Sequence, residues 1–147
     1  MAILILIVII AAATLVAAVF FYISRIISLP PQGRAVDNLN NKSEKNQRII
    51  ACIGDSLTHG NIGISWVDKL RKEFPSDIFL NEGINGDVVW QVHQRLEPIL
   101  KSNPDVIILM IGSNDAMASF NSNSGKRYKR NNNLPDIPSF QSYQKLL

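Results

Sequence analysis

The chain has 147 residues, 15 of them basic and 12 acidic, for a formal net charge of +3, with one cysteine and two histidines. That length holds one domain at most. A single cysteine excludes a disulfide framework and a cysteine-pair metal site, and none ends the apolar N-terminal segment to take a lipid. The charge is uneven. Residues 50–120 carry five basic groups (Lys69, Arg71, Lys72, Arg95, Lys101) against nine acidic ones, a difference of −4. The basic surplus lies in residues 25–48 and in Lys126–Arg130, flanking the acidic part, which argues against a nucleic-acid partner.

From Ala2 to Ser24 no residue is charged, and nearly all are Ile, Leu, Val, Ala or Phe. As a helix, about 23 residues at 1.5 Å each reach about 34 Å, enough to cross a bilayer core. Phe20, Phe21, Tyr22 and Arg25 suit a membrane–water interface. A cleaved signal peptide is the rival, weakened by the missing basic n-region and the long apolar run. The spacing therefore predicts a membrane anchor over residues 1–25 and membrane localisation. The basic residues that follow the anchor favour a cytoplasmic domain, but a short uncharged N-terminus leaves the orientation open.

Residues 26–47 read as a linker, rich in Pro, Gly and Asn. Its lysines and arginines could rest on anionic lipid or be a solvated spacer. A domain over 48–147 follows. Ile49–Ile53 is a short β-branched run ended by Gly54, a buried strand. Trp66, Val67, Leu70 and Phe74 recur at helical spacing and stop before Pro75. Ile78–Leu80 is a second short strand. After the glycine-rich turn 81–87, Val88, Val89, Val92, Leu96, Ile99 and Leu100 mark one face of a second helix. Val106–Ile111 reads as a strand buried on both faces. Asn121–Asn133 is polar, without periodicity, and Pro138–Leu147 opens a third helix. Alternating strands and helices with short turns give a parallel sheet. Its third strand has an unpaired edge.

Each strand ends in residues that can do chemistry. Gly54-Asp55-Ser56-Leu57 with Gly60, Asn81-x-Gly83-x-x-Gly86, and Gly112-Ser113-Asn114-Asp115 follow the three strands in turn. Taken singly, each has a bland reading as a capping serine, a turn before a helix, or a helix cap. Together they supply a nucleophile beside donors for a developing oxyanion, at strand ends where open α/β sheets bind ligands. Asp55 and Asp115 read as braces that accept backbone N–H groups. A dinucleotide site fails, because the glycines at 83 and 86 lack the Gly-x-Gly start.

These three stretches, over residues 49–115, resemble the first three sequence blocks of the SGNH hydrolases, the GDSL esterase/lipase family. The resemblance implies a flavodoxin-like three-layer α/β/α fold, here C-terminally incomplete and preceded by one transmembrane helix. It implies hydrolysis of a carboxylic ester through an acyl-enzyme, with no cofactor and no metal. Ser56 matches the nucleophile. The backbone N–H groups of Ser56 and Gly86 and the side-chain amide of Asn114 match the oxyanion-hole donors. The partners implied are a small-molecule, lipid or carbohydrate ester and, through the anchor, a membrane.

The family's fourth block, an Asp-x-x-His that supplies the base, is not in these 147 residues. His59 falls at a position the family leaves variable, and His93 reads as an exposed or interface side chain on the second helix. A fragment or truncated frame of an esterase is one expectation. An inactive remnant or binding module is the alternative. Lys126–Arg130 reads as a solvated insertion, with a loop contacting an anionic ester as its rival.

Overall fold

A computed structural model describes residues 1–35 and 47–147. Helix α1 (Ala2–Ser28) is followed by β1 (Ile49–Gly54), a single turn α2 (Ser56–His59), α3 (Trp66–Glu73) and β2 (Ile78–Gly83). Then come α4 (Val89–Gln94), α5 (Leu96–Leu100), β3 (Val106–Met110), α6 (Ser113–Ser119), α7 (Ser122–Asn131) and α8 (Phe140–Leu146). The strands are parallel in the order β2-β1-β3, with Ile50 opposite both Phe79 and Val106. This is the start of a doubly wound sheet, in which β1 is central.

The two faces of β1 follow the period of two. Ile50 and Cys52 join Phe79 and meet Val67, Trp66 and Leu70 of α3 on one side. Ala51 and Ile53 meet Val92, Leu96 and Ile99 of α4 and α5 on the other. Helices therefore cover both faces, and the three-layer α/β/α expectation holds. Burial pushes the Cys52 thiol up to about 11, a small apolar filler rather than a reactive group.

The structure corrects four expectations. The second helix is two, α4 and α5, broken at Arg95 (φ −108°, ψ 11°). Pro98, three residues on, has no N–H to continue the ladder, and the Arg95 side chain turns back to Asp87 and the Gly54 carbonyl. The second strand runs to Gly83, because Asn81, Glu82 and Gly83 pair with Cys52, Ile53 and Gly54. The polar stretch 121–133 forms a helix, α7. Asn121 caps it by accepting the Ser124 N–H at 2.8 Å, and Gly125 lets it pack closely against Ile137 and the Ala118 carbonyl. Last, β3 is not buried on both faces. Its residues are 37–44 % exposed, since both apolar clusters centre on β1 and, among the described residues, no strand pairs with its outer edge.

Helix α1 has no buried residue and is long and apolar enough to cross a membrane, as a signal sequence also is. It extends to Ser28, three residues past the expected anchor. The part of the expected linker that is described is docked on the domain. The Asn81 N–H donates to the Gly33 carbonyl at 3.0 Å, Arg71 donates to the Gln32 carbonyl at 3.0 Å, and the Ala35 N–H donates to Glu82. Glu82 is fully buried and carries Arg34 at 3.3 Å and Arg95 at 3.9 Å, so its charge is compensated. The rest of the expected linker, residues 36–46, lies outside the described residues.

A Cβ on Gly83 would stand 2.1 Å from the His59 backbone nitrogen, whereas one on Gly63 would meet nothing within 4 Å. Gly83→Ala should therefore cost about 1–3 kcal/mol or prevent folding. Gly63→Ala should stay within about 0.5 kcal/mol. Denaturant midpoints of the two variants check the contrast, and equal midpoints would contradict it.

Candidate active site

The sequence places a turn after each strand, and hydrogen bonds tie the three turns to one another in pairs. The β1 turn opens with Asp55, which is 1 % exposed and accepts the Leu57 N–H at 3.0 Å, capping α2. Its other carboxylate oxygen accepts the Ser113 hydroxyl and, at 3.4 Å, the Asn114 amide, both on the β3 turn. Asn114 also donates to the Asp87 carbonyl at 2.9 Å, and Asp115 accepts the Val89 N–H at 3.0 Å, joining the β3 turn to the β2 turn. The Ile84 N–H donates to the Gly54 carbonyl at 3.1 Å, and Asn81 donates to the His59 carbonyl at 3.3 Å, which joins β2 to β1.

Ser56, Gly86 and Asn114 are thereby gathered at one end of the sheet. Ser56 is the first residue of α2, a turn closed by Gly60 at φ +79°. It borders an open depression of about 250 Å³ lined by Leu57, Gly60, Ile62, Gly63 and Ile64. Gly86 has φ +83°, a conformation that L side chains rarely adopt, and the nearest atom to a Cβ there would be Asn132 Oδ1 at 3.7 Å. A Cβ there would make only an ordinary contact, so the positive φ is what calls for glycine. Asn114 is held at three points: Oδ1 accepts the Tyr128 hydroxyl at 3.0 Å, and Nδ2 donates to Asp87 and, at long range, to Asp55.

Asp55 and Asp115 brace the turns as expected, each through a backbone N–H. Burial pushes the Asp115 carboxyl above its ordinary range, opposed by the Val89 N–H, and burial does the same to Asp87 against the Arg95 guanidinium. Neither histidine stands ready as a base. His59 is 8 % exposed, its Nε2 donates to the Leu29 carbonyl at 2.8 Å, and its Nδ1 is buried with no partner, Ser56 included, while His93 is exposed on α4. Among the described residues no cluster of three metal-ligating side chains occurs. A separate cavity of about 330 Å³ lies between α6 and α8, lined by Ile111, Gly112, Ser119 and Tyr143 among others, and excludes Ser56.

Sequence reasoning missed Tyr128, the α7 residue that fixes Asn114. Its only sequence signal was the capping Asn121, since a polar helix has no apolar stripe to announce it. It also missed Asn61 and Asn85, which bond to the end of α1 and carry no motif.

Burial raises the folded-state pKa of Asp115 above its ordinary value of 3.8. Its protonated form is therefore favoured in the fold. That contribution to stability is fully present below pH 3.8 and is lost as the pH rises through the raised value. Asp115→Asn keeps an acceptor for the Val89 N–H and carries no charge. Its melting temperature should equal or exceed that of the parent at pH 7, and the decline with rising pH should be shallower. A fall of more than about 5 °C at pH 7 would show that the ionised carboxylate is required.

Residues 52–146 match the GDSL-like Lipase/Acylhydrolase family. Solved structures with similar folds include an acetylxylan esterase from Geobacillus stearothermophilus, in a catalytic mutant, at 20 % identity and a TM-score of 0.52. The alignment covers 71 % of this chain and 53 % of that one. The SGNH-hydrolase family esterase AlinE4 aligns at 24 % identity and a TM-score of 0.45, over 63 % of this chain and 58 % of that one. The chain thus spans somewhat more than half the length of these structures. No curated protein is detectably similar to it in sequence. On the family match across most of its length, this chain belongs to the GDSL-like lipase/acylhydrolases, with an SGNH-hydrolase α/β fold.

Proposed function

We propose that this chain carries the nucleophile and oxyanion-binding part of a membrane-anchored serine ester hydrolase. The observation that carries the reading is the convergence of Ser56, Gly86 and Asn114 at one end of the sheet, on three turns bonded to one another. In this mechanism Ser56 Oγ attacks the ester carbonyl carbon as its proton passes to a base. The carbonyl oxygen becomes an oxyanion that accepts from the N–H groups of Ser56 and Gly86 and from Asn114. Collapse expels the alcohol, which takes the proton, and water then releases the acid.

Asn114 suits the role because its amide is already oriented. One hydrogen is used on the Asp87 carbonyl at 2.9 Å, and the other makes only a 3.4 Å contact to Asp55, so an oxyanion can take it at small cost. Tyr128 then holds the amide from its oxygen side. The anchor in this reading is α1, whose unbroken apolar surface suits lipid and whose Phe20–Arg25 end suits an interface.

The placement of the histidines favours a second reading. Among the described residues neither histidine bonds to Ser56, because His59 Nδ1 is buried without a partner and His93 is exposed, and a site with only these groups binds esters without turning them over. A serine-reactive fluorophosphonate separates the two. Labelling of Ser56 in this chain supports the enzyme, and no labelling supports the binding form.

In the ester-hydrolysing protein, Ser56→Ala should abolish turnover and leave the melting temperature within a few degrees. Retained turnover would remove Ser56 as nucleophile. Asn114→Ala should lower kcat by about 10²–10³. Tyr128→Phe should lower it by about 2- to 12-fold, the size of one ordinary hydrogen bond. A change in Asn114→Ala of less than twofold would reduce Asn114 to a structural brace.

A further inference from the structure

We infer that the end of α1 is fixed to the Ser56 end of the domain, so that the candidate site opens in the headgroup layer of the membrane and takes a membrane-resident ester. The inference rests on the proposed anchor and nucleophile, and deepens them by naming where the substrate lies. A helix leaves its last carbonyls without partners. In α1 the carbonyls of Ile26 and Ile27 accept from side chains of the turns of the candidate site. Asn61 donates to the carbonyls of Ile26 at 3.1 Å and Ile27 at 3.2 Å. Asn85 donates to Ile27 at 2.8 Å and is itself linked to Asn61 at 3.2 Å. His59 adds its bond to Leu29 at 2.8 Å.

Asn85 precedes Gly86, and His59 and Asn61 flank Gly60, so the residues that cap α1 belong to the same two turns that wall the site. Segment 32–35 continues the attachment along β2 through Arg71, Asn81 and Glu82. The domain therefore does not hang on a free tether.

The depth follows from helix geometry. Ile26 and Ile27 lie only about 2–3 Å along the axis beyond Arg25, at 1.5 Å per residue. Tyr22 and Arg25 suit the membrane–water boundary. The residues bonded to those carbonyls are then at the headgroup level. The depression beside Ser56 is lined there by Leu57, Ile62 and Ile64, which are 56, 66 and 78 % exposed. Three large aliphatic side chains exposed around a serine suit an acyl chain and an apolar boundary better than water. Charge points the same way. Exposed Lys126, Arg127 and Arg130 ride on α7, whose Tyr128 touches Asn114, while residues 50–120 carry a net −4. Anionic headgroups attract the first set and repel the bulk of the domain.

The test reads depth without catalysis. Single reporters are placed as Ile64→Cys and Lys101→Cys and labelled with bimane, Cys52 being fully buried. Lys101 precedes β3, at the opposite end of the sheet. The proteins are reconstituted into vesicles of three parts phosphatidylcholine to one part phosphatidylglycerol, with nitroxide-labelled lipid as quencher. Quenching at position 64 should exceed that at 101 by at least threefold. The double change Asn61→Ala with Asn85→Ala, made on the Ile64→Cys protein, should lower the ratio toward one. Equal quenching at both positions in the parent overturns the inference whatever the double variant does.

A second measurement names the substrate. A fluorophosphonate with a long alkyl chain, held in the vesicles, should label Ser56 at least tenfold faster than a short soluble one. Equal rates would overturn the membrane-resident substrate. If neither probe labels Ser56 while position 64 is quenched, the binding form holds, the membrane-resident reaction is overturned and the orientation stands.

Discussion

The structure depends on the mutual bonding of three turns that the sheet leaves at one end. Parallel strands end their backbone ladder at Gly54, Gly83 and Met110, and nothing in the ladder fixes the turns beyond. Asp55 does this for β1 and β3, and Asn114 and Asp115 do it for β3 and β2. Hydrogen bonds to a charged group contribute about 1.5–3 kcal/mol each, more than neutral ones. A carboxylate buried to 1 % exposure would be costly alone, so Asp55 is tolerable only because the turns satisfy it. The same bonds that hold the fold closed hold Ser56, Gly86 and Asn114 in one place.

Space reinforces the bonds. A Cβ at Gly54 would meet the Met110 carbonyl and Thr58, and one at Gly83 would meet His59. The turns approach so closely that only glycine fits at either position. Gly86 differs: it needs its positive φ, while a Cβ there would meet only an ordinary contact with Asn132. Two glycines therefore serve packing and the third serves backbone conformation.

Much of this was legible in the sequence where the local rule and the fold agree. The short apolar runs Ile49–Ile53 and Ile78–Leu80 became strands, and the first of them, read as buried, lies at the centre of the sheet. The strand-end positions of Ser56, Gly86 and Asn114 followed from the same runs. What escaped has physical causes. Pro98 broke a helix that the apolar face alone makes continuous. Lys126–Arg130 looked like an insertion because a helix held by a cap and by a close approach at Gly125 needs no apolar stripe. The Val106–Ile111 run read as doubly buried, yet in β3 burial depends on what lies beyond an edge, which composition does not encode. Asn61 and Asn85 act only through the end of a distant helix, so no local pattern marks them.

The central claim is that three strand ends form one oxyanion site around Ser56, and a bound phosphonate ester tests it most directly. A crystal structure of the phosphonylated ester hydrolase should show the phosphorus on Ser56 Oγ. Its phosphoryl oxygen should lie about 2.7–3.1 Å from the backbone nitrogens of Ser56 and Gly86 and from Asn114 Nδ2. The Asn114 contact to Asp87 should be retained and the longer one to Asp55 given up. A phosphonate on another residue, or a phosphoryl oxygen turned to solvent away from Gly86 and Asn114, would contradict the account.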